Sequence, residues 1–247
     1  MQTLLVTGGS RGIGAATARL AATHGYAVAI GYVRDAQAAE TLVREIRETG
    51  GTALAIQADV SREDDVARLF SVIDRDLGAL SVLVNNAGVV DRAMRVETMR
   101  HERLQRMFAI NVIGSILCAA EAVRRMSTAR GGSGGSIVNV SSVAAKHGSP
   151  GEYVDYAASK AAIDTFTVGL AKEVAGEGIR VNAVRPGIIA TEIHATSGDA
   201  NRAERLAPTL PMQRPGTALE VARAILFLAS DDASYCTGTI LDVAGGR

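Results

Sequence analysis

The chain has 247 residues, with Lys+Arg 26 against Asp+Glu 26 and so a formal net charge of zero. That balance argues against nucleic acid and against an anionic membrane surface as partners. An apolar share of 47% with 26 glycines suits a globular α/β protein, and the length is ample for a large core in one unit.

Residues 1–6 run straight into a strand-like segment. No basic stretch precedes an apolar one there, so no secretory signal is expected. No apolar run reads as long enough to span a bilayer. Cys118 and Cys236 show neither metal-type spacing nor a disulfide framework. A cytoplasmic protein with two buried thiols is the expectation.

A first strand is predicted over 4–7, ending in Gly8-Gly9-Ser10-Arg11-Gly12-Ile13-Gly14. A helix follows and stops at Gly25, and 27–32 is a second strand. Asp35 is a candidate N-cap for a helix carrying Leu42, Val43 and Ile46. A third strand over 52–58 closes at Asp59-Val60, behind which Ser61 and Asp64 resemble a capping box. A fourth strand over 80–84 leads into Asn85-Asn86-Ala87-Gly88. A long helix from about 102 to 126 contains Asn111. A fifth strand over 137–140 runs into Ser141-Ser142, and the helix of Tyr156 and Lys160 follows. A sixth strand over 179–184 ends at Arg185-Pro186-Gly187. Residues 188–216 are polar and irregular, with a short helix near Ala203. Thr217 and Glu220 form a capping box, and 239–243 is the last strand.

Strands alternate with helices throughout, the pattern of right-handed βαβ units. The expectation is a single Rossmann-type, doubly wound α/β domain over 1–247. It has about seven parallel strands with helices on both faces. Such sheets bind ligands at the carboxyl ends of their strands, where the polar clusters above all fall.

The glycines at 8, 12 and 14 depart in spacing from the G-x-G-x-x-G fingerprint. The physics is shared, since a glycine loop lets a pyrophosphate approach backbone and a helix N-terminus. The second strand's tip carries no acid to take a ribose 2′-hydroxyl. Arg34 follows it and Arg11 lies in the glycine loop, which suits a 2′-phosphate and favours NADP over NAD. Two solvated arginines are the alternative. Asp59 either accepts from an adenine amino group or is an ordinary turn carboxylate. The amides of Asn85-Asn86 either tie strand ends together or line a cofactor site. Asn111 sits in a helix, where Asn is poorly suited, and needs partners: a water, nearby backbone or the core.

Tyr156 and Lys160 stand one helical turn apart on one face. A neighbouring ammonium lowers a Tyr pKa, making the phenol a proton exchanger near neutrality. Taken alone, the pair describes an ordinary amphipathic helix face better than a catalytic device.

Together, Thr7-Gly8-x-x-x-Gly12-Ile13-Gly14, Asp59-Val60, Asn85-Asn86-Ala87-Gly88, Asn111, Ser142, Tyr156-x-x-x-Lys160 and Pro186-Gly187 resemble the short-chain dehydrogenase/reductase family over the whole chain. The closer likeness is to bacterial glucose-dehydrogenase-like and 3-oxoacyl-carrier-protein-reductase-like members. The resemblance implies Tyr156 as general acid or base and Lys160 on the nicotinamide ribose, lowering the Tyr156 pKa. It implies Ser142 as donor to the substrate oxygen and Asn111 as holder of a relay water. It further implies Gly8, Ser10, Arg11, Gly12, Ile13, Gly14, Arg34, Asp59, Val60, Asn86, Ala87, Gly88, Tyr156, Lys160, Pro186, Gly187, Ile189 and Thr191 as cofactor contacts, with Ile189 and Thr191 meeting the carboxamide. Many members place the serine thirteen residues before the tyrosine. Here that position is Val143, so Ser142 implies a one-residue insertion in the following loop. Ser141 should face the other way by strand alternation, and Tyr153 lacks a lysine four residues on.

The expected activity is hydride transfer between NADP(H) and a small-molecule carbonyl or secondary alcohol, by a homotetramer or dimer. An oxoacyl-thioester reductase or sugar dehydrogenase fits the same family, and a non-catalytic NADP-binding sensor is the alternative from another class. Residues 188–216 are expected to form a lid, with Leu210, Met212, Glu192, His194 and Arg205 facing substrate. His147 and His194 lie near the expected mouth, and no metal is implied.

Overall fold

The computed structural model describes residues 1–191, 199 and 201–247. Seven parallel strands form one sheet in the order β3-β2-β1-β4-β5-β6-β9. They are β1 Thr3–Val6, β2 Ala27–Tyr32, β3 Thr52–Gln57, β4 Leu80–Asn85, β5 Gly135–Val140, β6 Ile179–Pro186 and β9 Ile240–Val243. A separate two-stranded ribbon pairs β7 Ile189–Ala190 with β8 Gly216–Thr217. The strand order reverses between β1 and β4, and ligands of such sheets bind in the crevice there.

Period-two side chains feed two cores. Leu4 and Val6 point to one face of the sheet, where Val28, Ile30, Val84, Val221 and Ile225 pack with them. Leu5 points to the other, with Ala29, Leu69, Phe70, Leu83, Cys118, Ile137 and Val181. The first layer is built from α1 Gly12–Thr23, α2 Ala36–Glu48 and the helix Ala218–Ala229. The second uses α3 Glu63–Asp76, α5 Gly114–Met126 and the helix Val154–Val174. Cys118 is buried as expected, whereas Cys236 is half-buried.

Local chemistry sets the helix starts. Asp35 Oδ1 accepts from the Ala38 N–H at 3.0 Å, and Thr217 with Glu220 makes both bonds of a capping box. Ser61 and Asp64 do not. The Ser61 N–H and hydroxyl both donate to Asp59 Oδ1, at 3.0 and 2.7 Å, while Asp65 Oδ2 accepts from the Asp59 N–H. A local Asp turn outcompetes the cap for Ser61, and α3 starts at Glu63 without a side-chain cap.

The predicted long helix is unbroken over His101–Met126, as α4 His101–Phe108, a π-turn at Ala109–Ile113, and α5. It corrects one sequence expectation, because by length and composition this run could cross a membrane. Its buried residues, among them Met107, Asn111, Cys118, Ala119 and Ala122, instead face the rest of the fold.

Candidate active site

The loop joining β1 to α1 is fastened to the turn after β4. The Asn86 side-chain amide donates to the carbonyls of Thr7 and Gly8, both at 2.9 Å. Thr7 Oγ1 accepts from the N–H groups of Asn86 and Ala87. Gly8 and Gly12 have φ of +61° and +55°, a region that L side chains rarely enter. A Cβ on Gly8 would also lie 2.9 Å from Ala87 Cα. The first turn of α1 has neither a side-chain cap nor an acid, and its first intrahelical bond is Ala15 N–H to Arg11 carbonyl. The donors ahead of that bond therefore suit the phosphates of a dinucleotide, so the residues present fit such a group.

Tyr156 and Lys160 lie in α7, Val154–Val174, which follows the short α6, Ala144–His147. The Lys160 ammonium is 5.7 Å from the Tyr156 ring centre and donates to the Val140 carbonyl at 2.7 Å. The Ser142 side chain acts on Tyr156 to favour its phenolate, and Ser142 Oγ accepts from the Ala144 N–H. Ser141 turns away, its hydroxyl donating to the Lys160 carbonyl at 3.1 Å.

The electrostatics correct a second expectation. Tyr156 is raised above the ordinary phenol value, because loss of water disfavours the phenolate more than the Ser142 hydrogen bond favours it. Lys160 is not among the groups that bring it down. Lys160 itself is pushed down to about 8 by burial, against the pull of the Asp164 carboxylate.

Asn111 is fully buried in the π-turn. Its Oδ1 accepts from the Val89 N–H at 2.8 Å, and its Nδ2 donates to the Val89 carbonyl and Ser159 Oγ. Its side chain therefore holds nearby backbone, one of the alternatives its sequence context offered. Extra turns of this kind recur at functional positions.

Ile13, Asn86, Gly88, Ser142, Tyr156, Lys160, Pro186, Gly187, Ile189 and Thr191 line one cleft. Gly8, Ser10, Gly12, Gly14, Ala87 and Asn111 are not among its lining residues, but Gly12 and Gly14 pack against Thr191 and Asn86, which are, Gly8 packs against Ala87, and Asn111 lies near Gly88. Arg34 is exposed past β2, and Arg11 approaches Asp35 at 3.9 Å. Asp59 and Val60 follow β3 by two and three residues, with the Val60 side chain packed on Gly114.

The segment after β6 differs from expectation. Arg205 pairs with Asp199 in solvent, and neither it, Leu210 nor Met212 lines the cleft. Leu210 is buried, and Met212 packs beside Gly245. Glu192 and His194 lie outside the described residues. His147 does line the cleft. Arg202, like Arg247, is a charged lining residue that sequence reasoning missed. It lies in α8, Arg202–Leu206, lines the cleft, stacks 5.1 Å from the Tyr153 ring and pairs with Glu152 at 2.5 Å. Its partners are fifty residues away in sequence, so no local pattern announces it.

A glycine loop beside a Ser–Tyr–Lys cluster at the switch point of a parallel sheet is the arrangement of a dinucleotide-dependent oxidoreductase. Residues 8–247 match the family model described as enoyl-(acyl carrier protein) reductase. The chain belongs to the short-chain dehydrogenase/reductase family, and the family makes it an NAD(P)-dependent oxidoreductase acting on small molecules. It is 54% identical to the uncharacterized oxidoreductase YgfF of Escherichia coli, over 100% of both chains. It is 39% identical to a 3-oxoacyl-[acyl-carrier-protein] reductase of Synechocystis, over 99% of this chain and 96% of that one. It is 41% identical to cis-4-hydroxycyclohexanecarboxylate dehydrogenase of Sinomonas cyclohexanicum, over 98% and 94%. A solved double mutant of a Serratia marcescens short-chain dehydrogenase/reductase superposes with a TM-score of 0.91 at 33% identity, covering 99% of this chain and 97% of that one.

Proposed function

We propose that the protein passes a hydride between NADP(H), preferred over NAD(H), and a carbonyl or secondary alcohol of a small molecule. The meeting of Tyr156, Ser142 and Lys160 in one cleft beside the glycine loop carries this reading. A bound nicotinamide supplies or receives the hydride.

In the reductive direction Tyr156 donates its phenolic proton to the carbonyl oxygen. Burial keeps that proton in place until it is needed, which suits an acid. The Ser142 hydroxyl donates to the same oxygen as negative charge grows there. Lys160 holds the nicotinamide ribose and adds positive field beside Tyr156. Asn111 fixes the Val89 backbone and holds a proton-relay water beside the pair. The glycine loop takes the pyrophosphate, Arg11 and Arg34 the 2′-phosphate, and Asp59 the adenine amino group. Pro186, Gly187, Ile189 and Thr191 receive the carboxamide end.

Residues 188–216 act as a lid over the substrate. Exposed Ile113, Ile116 and Val154 on one side, and Phe227 and Tyr235 on another, support a homotetramer. Light scattering on the purified protein tests that assembly. The activity is tested by following NADPH and NADH absorbance against aldehydes, diketones, oxoacyl thioesters, cyclic oxo acids, steroids and sugars. Turnover is expected with at least one carbonyl class. Tight NADPH binding with no turnover across the panel would support a cofactor-binding sensor instead.

A further inference from the structure

Lys160 is a lysine buried to 4% exposure whose ammonium has one hydrogen-bond acceptor among the described residues, the Val140 carbonyl. A charge so far from water needs an opposite charge to remain charged. The groups around it are mostly neutral. From β5 and the turn behind it come the Val140 carbonyl and Ser142, from the π-turn Asn111, and from the turn after β4 the Gly88 backbone. Its own helix contributes Tyr156 and, one turn on, Asp164. The carboxylate whose field reaches Lys160 is that of Asp164.

Asp164 is itself buried to 7% exposure. It stands one helical turn after Lys160 in the same helix. Oδ2 accepts from Arg185 Nε at 2.9 Å, whereas Oδ1 is buried with no hydrogen-bond partner. Half of the carboxylate is thus committed and half remains undischarged. Arg185 sits on β6 just ahead of Pro186-Gly187. It reaches Asp242 on β9 at 3.5 Å, and Asp242 pairs with Lys146 of α6 at 2.8 Å. This chain of charges joins the catalytic helix, the end of β6 and the helix after Ser142.

We propose that Asp164, held by Arg185, is a positioning residue that keeps the buried Lys160 ammonium charged in the cleft. It acts through Lys160. The inference rests on the cleft being the nicotinamide site only for its meaning in turnover, because the charge on Lys160 is measurable without cofactor or substrate.

The chain has three lysines, Lys146, Lys160 and Lys172. Protein labelled with 13Cε-lysine therefore gives three signals to titrate by NMR between about pH 6 and 11, and Lys160→Met assigns the one in question. In Asp164→Asn the Lys160 midpoint is expected to fall by about one pH unit, the scale for loss of a nearby opposite charge. Asp164→Glu is expected to restore most of it. A purely structural role for Asp164 leaves the midpoint where it was, and that result would overturn the proposal. Should Asp164→Asn not fold, Arg185→Gln gives the opposite sign. Freed of its competing cation, Asp164 raises the Lys160 midpoint, and an unchanged or lowered midpoint refutes the idea. An absence of turnover in the wild-type protein, with the expected midpoints in the variants, would count against the proposed carbonyl reaction alone.

Discussion

The Lys160 ammonium stands 5.7 Å from the centre of the Tyr156 ring, one turn along α7, while the same ammonium donates to Val140. Tyr156→Phe removes the phenolic proton and keeps the ring, so kcat should fall on the order of 10²- to 10⁴-fold. NADPH affinity, read from the fluorescence of the bound nucleotide, should change little. Full activity in this variant would remove Tyr156 from the mechanism.

The two neighbouring serines separate chemistry from support. Ser142→Ala loses a donor aimed at the reacting oxygen and should lower kcat by about 10²- to 10³-fold. Ser141→Ala loses the bond to the Lys160 carbonyl, costing about 1 kcal/mol of stability. Its effect on turnover should be much smaller. Equal losses of turnover in both variants would contradict this division.

Lys160 links charge to stability. Its folded value, about 8, lies below the ordinary lysine value, so the folded state resists the charged form. The resulting penalty is fully present below about pH 8 and fades as pH rises toward the unfolded value near 10.5. Lys160→Met should therefore raise the Tm of the ligand-free protein at neutral pH, by an amount corresponding to at most ~3 kcal/mol. The advantage should shrink as the buffer is taken from pH 8 to 10. Differential scanning fluorimetry across that range decides the sign.

Under the proposed preference for NADP(H), Arg11 and Arg34 would set the choice of cofactor. Arg11 approaches Asp35, which also caps α2. A 2′-phosphate would draw on both guanidinium groups, and charge-assisted bonds of this kind contribute about 1.5–3 kcal/mol each. Arg34→Ala should cut the NADPH-to-NADH ratio of kcat/KM by about tenfold or more, chiefly through KM for NADPH. A wild-type ratio favouring NADH would sink the assignment.

The parts of the fold legible in sequence are those written locally. Asp35 and the Thr217–Glu220 box are readable because each cap lies within one turn of the helix it starts. Ser61 misleads because Asp59, two residues back, takes its donors. The π-turn around Asn111 leaves no mark in composition or periodicity, since one extra residue in a turn changes neither. The cleft's Gly, Ser, Tyr and Lys residues are readable because strand ends gather them by topology. Arg202 is not readable, because Tyr153 and Glu152 meet it only after the chain has folded back. The pKa direction at Tyr156 is equally hidden, as spacing reports the neighbouring ammonium but not the loss of water.

The short ribbon in which Ile189 faces Gly216 and Ala190 faces Thr217 has an evolutionary consequence. It makes a doorway through which the chain leaves the framework and returns at nearly the same place. Whatever lies between those two pairs can be lengthened, shortened or exchanged without disturbing the strand register behind it. Doubling such an excursion adds only about 0.6 kcal/mol of closure entropy. A graft of this stretch from a relative that handles another molecule should therefore transplant substrate preference as a unit, with the proton-transfer apparatus left untouched.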